Sequence, residues 1–427
     1  MAIILKLPGM LIKILPYALM VVAFVVTTVV YPYILAFARR HGVVDNPNAR
    51  KLQRVPVPVM GGTTVFIGLI ASVLLGYAFL GDVRLVKILS LLFIMYVIGV
   101  WDDVKDVSPA LRFGVEVLVV WLMIGLLDVE INDFHSFFGV RQIPDTMSVP
   151  LSLIAGVGIM NAINLIDGVD GYCSTYGMMA CVVFGAIFYY SGDMTMFVLA
   201  LIGIGSLLPF FFHNVFGKTS KMFLGDGGSL MLGTLLTLFV FNTLSSNSPC
   251  SAYDDSGISL VALALAILAV PVFDTLKVMT YRVVKGQSPF HPDKTHLHHL
   301  FIELNYSHLA TSGIIVSTNF LIVCVVVLSW LLGASVNLQV CLVIFLSLLL
   351  TCGFYFFMER EHRKNDGLGS DLFQKWSKRA SRTNFSATPI WRVIRRVVDS
   401  RFLGGVSSAP VVTKGSTMLS RPDPRIE

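Results

Sequence analysis

Five clusters of ionisable and amide side chains interrupt an otherwise apolar chain, and each sits where an apolar run ends. One reads Trp101-Asp102-Asp103-Val104-Lys105-Asp106. Carboxylates at i, i+1 and i+4 repel each other unless a cation or a proton joins them. Such a set suits Mg²⁺ binding or general-base work. A polar turn that merely ends a helix is the competing reading, and Ser108-Pro109 favours a turn there.

A second cluster runs from Asn161 through Asn164, Asp167 and Asp170 to Gly171. Asn161 and Asn164 are one helical turn apart, as are Asp167 and Asp170 if the helix continues. Unpaired amides and carboxylates at the end of an apolar helix cost several kcal/mol in low dielectric. A metal or a polar ligand would offset that cost, and Gly168 and Gly171 allow close backbone approach. A third cluster, Gly225-Asp226-Gly227-Gly228-Ser229, directly precedes an apolar run. Free amides at a helix N-terminus attract an anion. Asp226 is awkward there as a phosphate contact but suits a Mg²⁺ that accompanies the phosphate; a simple N-cap is the alternative.

The fourth cluster begins at Asp274, continues through Arg282 and Lys285, and ends in Pro289-Phe290-His291-Pro292-Asp293-Lys294-Thr295-His296-Leu297-His298-His299. His296 and His299 have a spacing that zinc sites use. No cysteine is nearby, and the carboxylates elsewhere are hard ligands, which favours Mg²⁺ and phosphate chemistry with histidines as donors. The fifth cluster holds Arg50, Lys51 and Arg54 between Asp45 and Gly62. It reads either as a phosphate-holding loop or as a basic loop that sets topology. One such cluster is weak evidence; five on one side of a membrane are not.

The elements that must position these residues are membrane helices. The 427 residues are 55% hydrophobic and 14% charged, with a mean hydropathy of +0.76. That leaves too little charge to cover a soluble protein of this size. Eleven apolar runs are long enough to be spans: 14–38, 62–80, 86–101, 111–127, 148–163, 174–191, 194–213, 227–245, 258–280, 312–333 and 336–357. The first continues past Met20 without a cleavage signature and reads as a span, not a signal peptide. With eleven spans, 27 of the 32 Lys and Arg fall on the side that holds the five clusters. The positive-inside rule then puts the N-terminus outside and the C-terminus in the cytoplasm. The fold class is therefore all-α and polytopic: a catalytic membrane domain over 1–358 and a basic cytoplasmic tail over 359–427. The net charge of +6 reflects this topology and not a nucleic-acid partner. The six cysteines form no CxxC pair and read as small buried hydrophobes.

In the tail, Ile390, Val393, Ile394, Val397 and Val398 repeat at helical spacing, with Arg392, Arg395 and Arg396 elsewhere on the wheel. This predicts an amphipathic helix near 390–402 on an anionic membrane surface. The flanks 381–389 and 404–427 have the composition of disordered chain.

Taken in order, Asp102-Asp103, the NxxNxxDGxDG run at 161–171, the GDxGS run at 225–229 and the PFxPDxxHLHH run at 289–299 resemble the polyprenyl-phosphate N-acetylhexosamine-1-phosphate transferase superfamily, over roughly residues 10–358. The HLHH form looks like the branch that uses undecaprenyl phosphate and UDP-N-acetylglucosamine to start O-antigen, enterobacterial common antigen or teichoic acid linkage units. The muramoyl-pentapeptide branch of peptidoglycan synthesis typically ends in three histidines, whereas Leu300 follows His299 here. The chain departs from the family pattern at Gln53, Tyr172, Tyr281 and His291.

The resemblance implies a bacterial inner-membrane enzyme with its active site facing the cytoplasm and a homodimeric assembly. The phosphate of undecaprenyl phosphate would attack the β-phosphorus of a UDP-N-acetylhexosamine and release UMP. Asp226 would be the principal ligand of Mg²⁺, with Mn²⁺ as a substitute and Asp103 as a further ligand. Asp102 or Asp103 would orient or deprotonate the lipid phosphate, with Asp170 counted in the catalytic set. Asn164, Asp167 and Asp170 would bind the nucleotide or support the metal. Arg282, His296, His298 and His299 would hold diphosphate and sugar, and Lys51 the lipid phosphate. A secondary transporter is the reading from another class; it calls for ionisable residues at the midplane and broken helices in paired repeats.

Overall fold

The computed structural model describes residues 9–46, 55–253, 256–288, 295–363 and 388–400. It is helical almost throughout. The long helices are α1 (Gly9–His41), α2 (Gly61–Leu80), α3 (Val83–Lys105), α4 (Pro109–Leu127), α5 (Asp145–Leu165), α6 (Tyr172–Ser191), α7 (Met194–Phe216) and α8 (Gly225–Thr243). There follow α9 (Leu260–Ile267), α10 (Ala269–Val284), the short α11 (Leu297–Glu303), α12 (His308–Leu331), and α13 (Val336–Leu348), which runs through a π turn at Leu349–Gly353 into α14 (Phe354–Arg363). A last helix, α15 (Pro389–Asp399), lies in the tail.

Two small antiparallel ladders qualify the all-α expectation. Val44–Asp45 (β1) pairs with Val57–Pro58 (β2), and Asp133–Phe137 (β3) pairs with Val140–Gln142 (β4). Both lie in connections between spans, where backbone groups that a helix no longer satisfies must find partners. Three of the cysteines are buried as expected, but Cys324 and Cys341 are exposed on the faces of α12 and α13.

Among the described residues nine helices are long and apolar enough to cross a membrane, ten if the pair α9 and α10 counts as one bent span. This is fewer than the eleven apolar runs of the sequence. The helix that drops out is α8, whose first turn and Asn242 dilute its apolar character. Its position explains the composition: every residue from Gly227 to Thr243 is buried, against α2, α3, α5 and α6. A helix walled in by other helices needs no lipid-compatible surface. The outer helices show the opposite pattern, with large apolar side chains facing outward, such as Trp121, Ile154, Leu321 and Phe345.

Lipid tails are as apolar as leucine, so tight helix pairing in a bilayer depends on small residues that let backbones approach. The α8 contacts follow this rule. A Cβ at Gly62 would stand 2.3 Å from the Gly228 nitrogen, and one at Gly99 would stand 2.4 Å from the Asp226 carbonyl oxygen. These glycines let α2 and α3 close directly onto the first turn of α8. The same junction is tied by backbone bonds from Gly61 N–H to Phe223 O (2.8 Å) and from Gly62 N–H to Leu224 O (2.7 Å). Gly62→Ala is therefore expected to lower stability by about 1–3 kcal/mol or more through overpacking. Thermal unfolding in detergent measures this; an unchanged midpoint would show that α2 can back away from α8.

The run 258–280 is broken. Its two halves, α9 and α10, meet at 70°. Pro271 lacks an N–H, and Asn319 of α12 reaches into the gap. The Asn319 amide donates to Ala266 O (3.1 Å) and Ile267 O (2.9 Å), while its oxygen accepts from Val270 N–H (2.8 Å). The Tyr176 hydroxyl also donates to Ile267 O at 2.7 Å. Backbone groups freed by the bend are thus satisfied by side chains, the condition under which a break inside a membrane protein is tolerated. The bend turns α10, with Asp274, Lys277 and Arg282, away from the line of α9.

Candidate active site

The α3 C-terminus, the 166–171 turn and the α8 N-terminus meet at one end of the bundle. Gly225 begins α8 with φ +77°, and a Cβ there would lie 2.6 Å from Asp103 Oδ2. Only glycine meets both demands. It lets the Asp103 carboxylate cap the helix: the Asp226 N–H donates to Oδ1 at 2.9 Å and the Gly227 N–H to Oδ2 at 3.1 Å. The Asp226 side chain points elsewhere, and its Oδ1 accepts from Asn164 Nδ2 at 2.6 Å. The same Asn164 amide donates to Ser229 Oγ at 2.9 Å. Asp102 lies within hydrogen-bond reach of the Asp226 carboxylate.

Asp102 is fixed from its other side by residues the sequence reading did not single out. Arg112 stands 3.4 Å from Asp102 Oδ2 and 3.1 Å from Glu116 Oε1. The buried Glu116 in turn accepts from Asn161 Nδ2 at 2.6 Å. An Arg–Glu pair at i, i+4 inside an apolar run was the available signal, since charges rarely enter a span unpaired.

Asp167 and Asp170 have opposite environments. Burial, then the charges of Asp226, Asp103 and Asp170, push the Asp167 carboxyl well above its ordinary range. Burial would raise Asp170 also, but a hydrogen bond to His308 and the charge of Lys221 hold it below that range. Lys221 Nζ is 2.6 Å and His308 Nδ1 2.9 Å from Asp170 Oδ2. The Ser312 hydroxyl donates to Asp170 O at 2.9 Å. As placed, the Asp170 carboxylate anchors the turn to the α7–α8 connection and to α12, and Asp167 carries the frustrated charge.

The sign of the pH effect follows. A carboxyl whose folded pKa is raised stabilises the fold below its unfolded value of about 4 and loses that contribution as pH rises through the folded value. Without divalent cation, stability should fall with pH over that window, and Asp167→Asn should flatten the slope. Thermal midpoints of parent and variant across acid to neutral pH test this; equal slopes would remove Asp167 as the source.

The histidine cluster arrives from α10 and α11. Asp274 is buried. It lies 2.6 Å from Lys277 Nζ and 2.9 Å from His296 Nδ1, and both its oxygens accept from Leu297 N–H. This fixes the orientation of the His296 ring. The His298 ring packs beside His296 and His299, with centroids 5.6 Å and 4.2 Å away. Its Nε2 would be 3.1 Å from a Cβ at Gly168, so the 166–171 turn and the histidines touch through that glycine. Burial, then the charges of His299 and His296, hold His298 well below the usual histidine pKa. His298 is therefore a neutral donor–acceptor at neutral pH. Arg282 is buried in the last turn of α10. Lys51 lies outside the described residues, as do Phe290 to Asp293.

The carboxylates of Asp102, Asp103, Asp167 and Asp226 supply a hard, anionic, partly desolvated donor set, the chemistry Mg²⁺ requires. Asp103 is committed to the α8 amides and Asp102 to Arg112, which leaves Asp226 and Asp167 as the candidates for direct contact with an ion. Among the described residues no three His, Cys, Asp or Glu side chains are close enough together to hold a metal by themselves. An ion here would thus complete its coordination with phosphate oxygens or water, as Mg²⁺ commonly does.

Comparison with known proteins gives one family, described as glycosyl transferase family 4, matching residues 85–243. The match takes in Asp102, Asp103, the 161–171 run and the α8 N-terminus. A Bacillus subtilis (strain 168) protein named "Probable undecaprenyl-phosphate N-acetylglucosaminyl 1-phosphate transferase" is 32% identical over 293 residues, covering 67% of this chain and 78% of the relative. The undecaprenyl-phosphate alpha-N-acetylglucosaminyl 1-phosphate transferase of Yersinia pestis is 30% identical over 273 residues, 62% of this chain and 71% of the relative. That of Haemophilus influenzae is 31% identical over 269 residues, 61% and 72% respectively.

Proposed function

The chain belongs to glycosyl transferase family 4, and on that premise we propose that it transfers N-acetylglucosamine-1-phosphate from UDP-N-acetylglucosamine to undecaprenyl phosphate, releasing UMP. The observation that carries this is the junction at α8: four carboxylates and the Asn164 amide converge on one helix N-terminus, with the His296–His299 cluster touching the adjoining 166–171 turn through Gly168. The relatives named above are transferases of this sugar phosphate, which disfavours both the muramoyl-pentapeptide substrate and the transporter reading.

The reaction breaks one phosphoanhydride bond and makes another, so the step is near balance and catalysis rests on positioning and charge neutralisation. A lipid phosphate with a second pKa of about 6 is already mostly dianionic. No strong base is therefore required of Asp102, which Arg112 holds in place. Mg²⁺, held through Asp226 and Asp167, would neutralise the diphosphate oxygens of the donor. The neutral His298 and the Asp274-oriented His296 donate hydrogen bonds to diphosphate or sugar, with Arg282 supplying charge. Asp103 acts through the α8 amides and is a positioning residue. The excess of Lys and Arg at this end of the spans supports a cytoplasmic site in the inner membrane.

The test is direct. Purified protein is given Mg²⁺, undecaprenyl phosphate and, in parallel, UDP-N-acetylglucosamine, UDP-N-acetylgalactosamine or the muramoyl-pentapeptide nucleotide. Released UMP and labelled lipid are measured with and without chelator. Chelator-sensitive UMP release with UDP-N-acetylglucosamine alone is the expected result. Release with another nucleotide would reassign the sugar, and undiminished release in chelator would remove the metal.

A further inference from the structure

The tail helix α15 is amphipathic as its sequence predicts, but the apolar arc is divided between two partners. One part packs on the protein. Trp391 is buried with its ring 4.6 Å from that of Phe216, and Arg395 Nε donates to Phe216 O at 3.3 Å. At the other end the buried Asp399 carboxylate accepts from Lys218 N–H (3.1 Å), Ser220 N–H (3.0 Å) and Ser220 Oγ (2.8 Å). These are residues of the connection between α7 and α8. The same connection is held by α1, through Tyr31 Oη donating to Ser220 O at 2.8 Å and Arg39 donating to Thr219 O.

Among the described residues, three other apolar side chains of the helix stay largely uncovered. Ile390, Val393 and Val397, at i, i+3 and i+7, are 72%, 62% and 67% exposed. Arg392 and Arg396 are exposed beside them on the wheel. The helix sits where α1 and α7 end, at the boundary that any bilayer around these spans must have. An exposed apolar stripe flanked by arginines at that boundary matches a lipid surface with anionic head groups in both polarity and charge.

We propose that α15 is an interfacial membrane-binding helix, its Ile390–Val393–Val397 stripe and Arg392 and Arg396 seated on anionic lipid while its other face braces the 217–220 connection. That connection leads straight into Lys221, the partner of Asp170, so lipid binding at α15 tightens the turn that carries Asp167.

Hydrogen exchange on the full chain in nanodiscs tests it, comparing phosphatidylethanolamine alone with phosphatidylethanolamine plus phosphatidylglycerol. Each arginine near an anionic surface adds about fivefold in binding, so the 389–399 amides should exchange about tenfold more slowly, or better, with phosphatidylglycerol present. The amides of 217–221 should slow in parallel. Arg392→Gln with Arg396→Gln should remove the lipid dependence while leaving the Trp391 and Asp399 contacts in place, and Val393→Glu with Val397→Glu should do the same. Equal exchange in the two bilayers would overturn the proposal. So would protection that depends on protein concentration in detergent, which would assign the stripe to a second copy of the chain.

Discussion

Asp226→Asn is expected to lower kcat by about a thousandfold or more while leaving helix content and thermal stability near those of the parent. The two halves of this expectation rest on different atoms. What position 226 contributes to the fold is its backbone: its N–H caps onto Asp103 Oδ1, and its carbonyl lies against Gly99. Asparagine keeps both. It also keeps an oxygen that can accept from Asn164. What it loses is the negative charge aimed into the site, close to Asp102 and Asp167. Under the proposed mechanism of charge neutralisation, that charge has no substitute. Removing it even relieves like-charge repulsion, so stability has reason to hold or rise. Asp103→Asn should behave differently. An amide there turns a donor toward one of the two backbone N–H groups it now accepts from, at 2.9 and 3.1 Å. That variant should lose stability as well as turnover. Steady-state kinetics with thermal unfolding separates the two cases; turnover of Asp226→Asn within tenfold of the parent would strip that residue of its assigned role.

The second large effect is on stability. Asp274→Ala is expected to destabilise the protein by about 3–5 kcal/mol, because it leaves a buried cation without its partner. The Lys277 side chain is only 3% exposed and lies 2.6 Å from Asp274, with its ammonium over the Tyr355 ring at 3.8 Å to the centroid. Asp274 also receives the Leu297 amide and the His296 ring. Its removal therefore unfastens α11 from α10 and frees the His296 ring to rotate. A double variant, Asp274→Ala with Lys277→Met, should recover much of the lost stability, since the unpaired charge is gone. It should not recover activity, since His296 remains unoriented. Equal midpoints for the parent and the single variant would mean that Lys277 escapes to water. Recovery of turnover in the double variant would show that His296 needs no orienting partner.

The contrast between these two positions shows what each level of description supplies. Both aspartates sit at the edge of an apolar run and are equally visible in the sequence. Only the structure separates one whose charge is crowded among other carboxylates from one that neutralises a buried lysine. The same holds for Asp167 and Asp170, three residues apart: Lys221 and His308 come to one and not the other.

Local features could be read straight from the chain. Apolar runs marked the helices, and polar clusters at their ends marked where chemistry could occur, because a bilayer penalises unpaired polar groups wherever they lie along a span. The motifs at 102–103, 161–171, 225–229 and 289–299 pointed to the family that the comparisons bear out. The sequence also held, unrecognised, the Arg112–Glu116 pair. Adjacency emerges only once the helices pack. The backbone groups freed by the 70° break are satisfied by Asn319, from a helix about 50 residues further along the chain. The meeting of Asp103 with the α8 amides depends on Gly62, Gly99 and Gly225 permitting backbones to touch. The central place of α8, which apolarity alone undervalued, follows from neighbours that shield it from lipid. Periodicity records how a segment meets its surroundings. It does not record which distant segment those surroundings are.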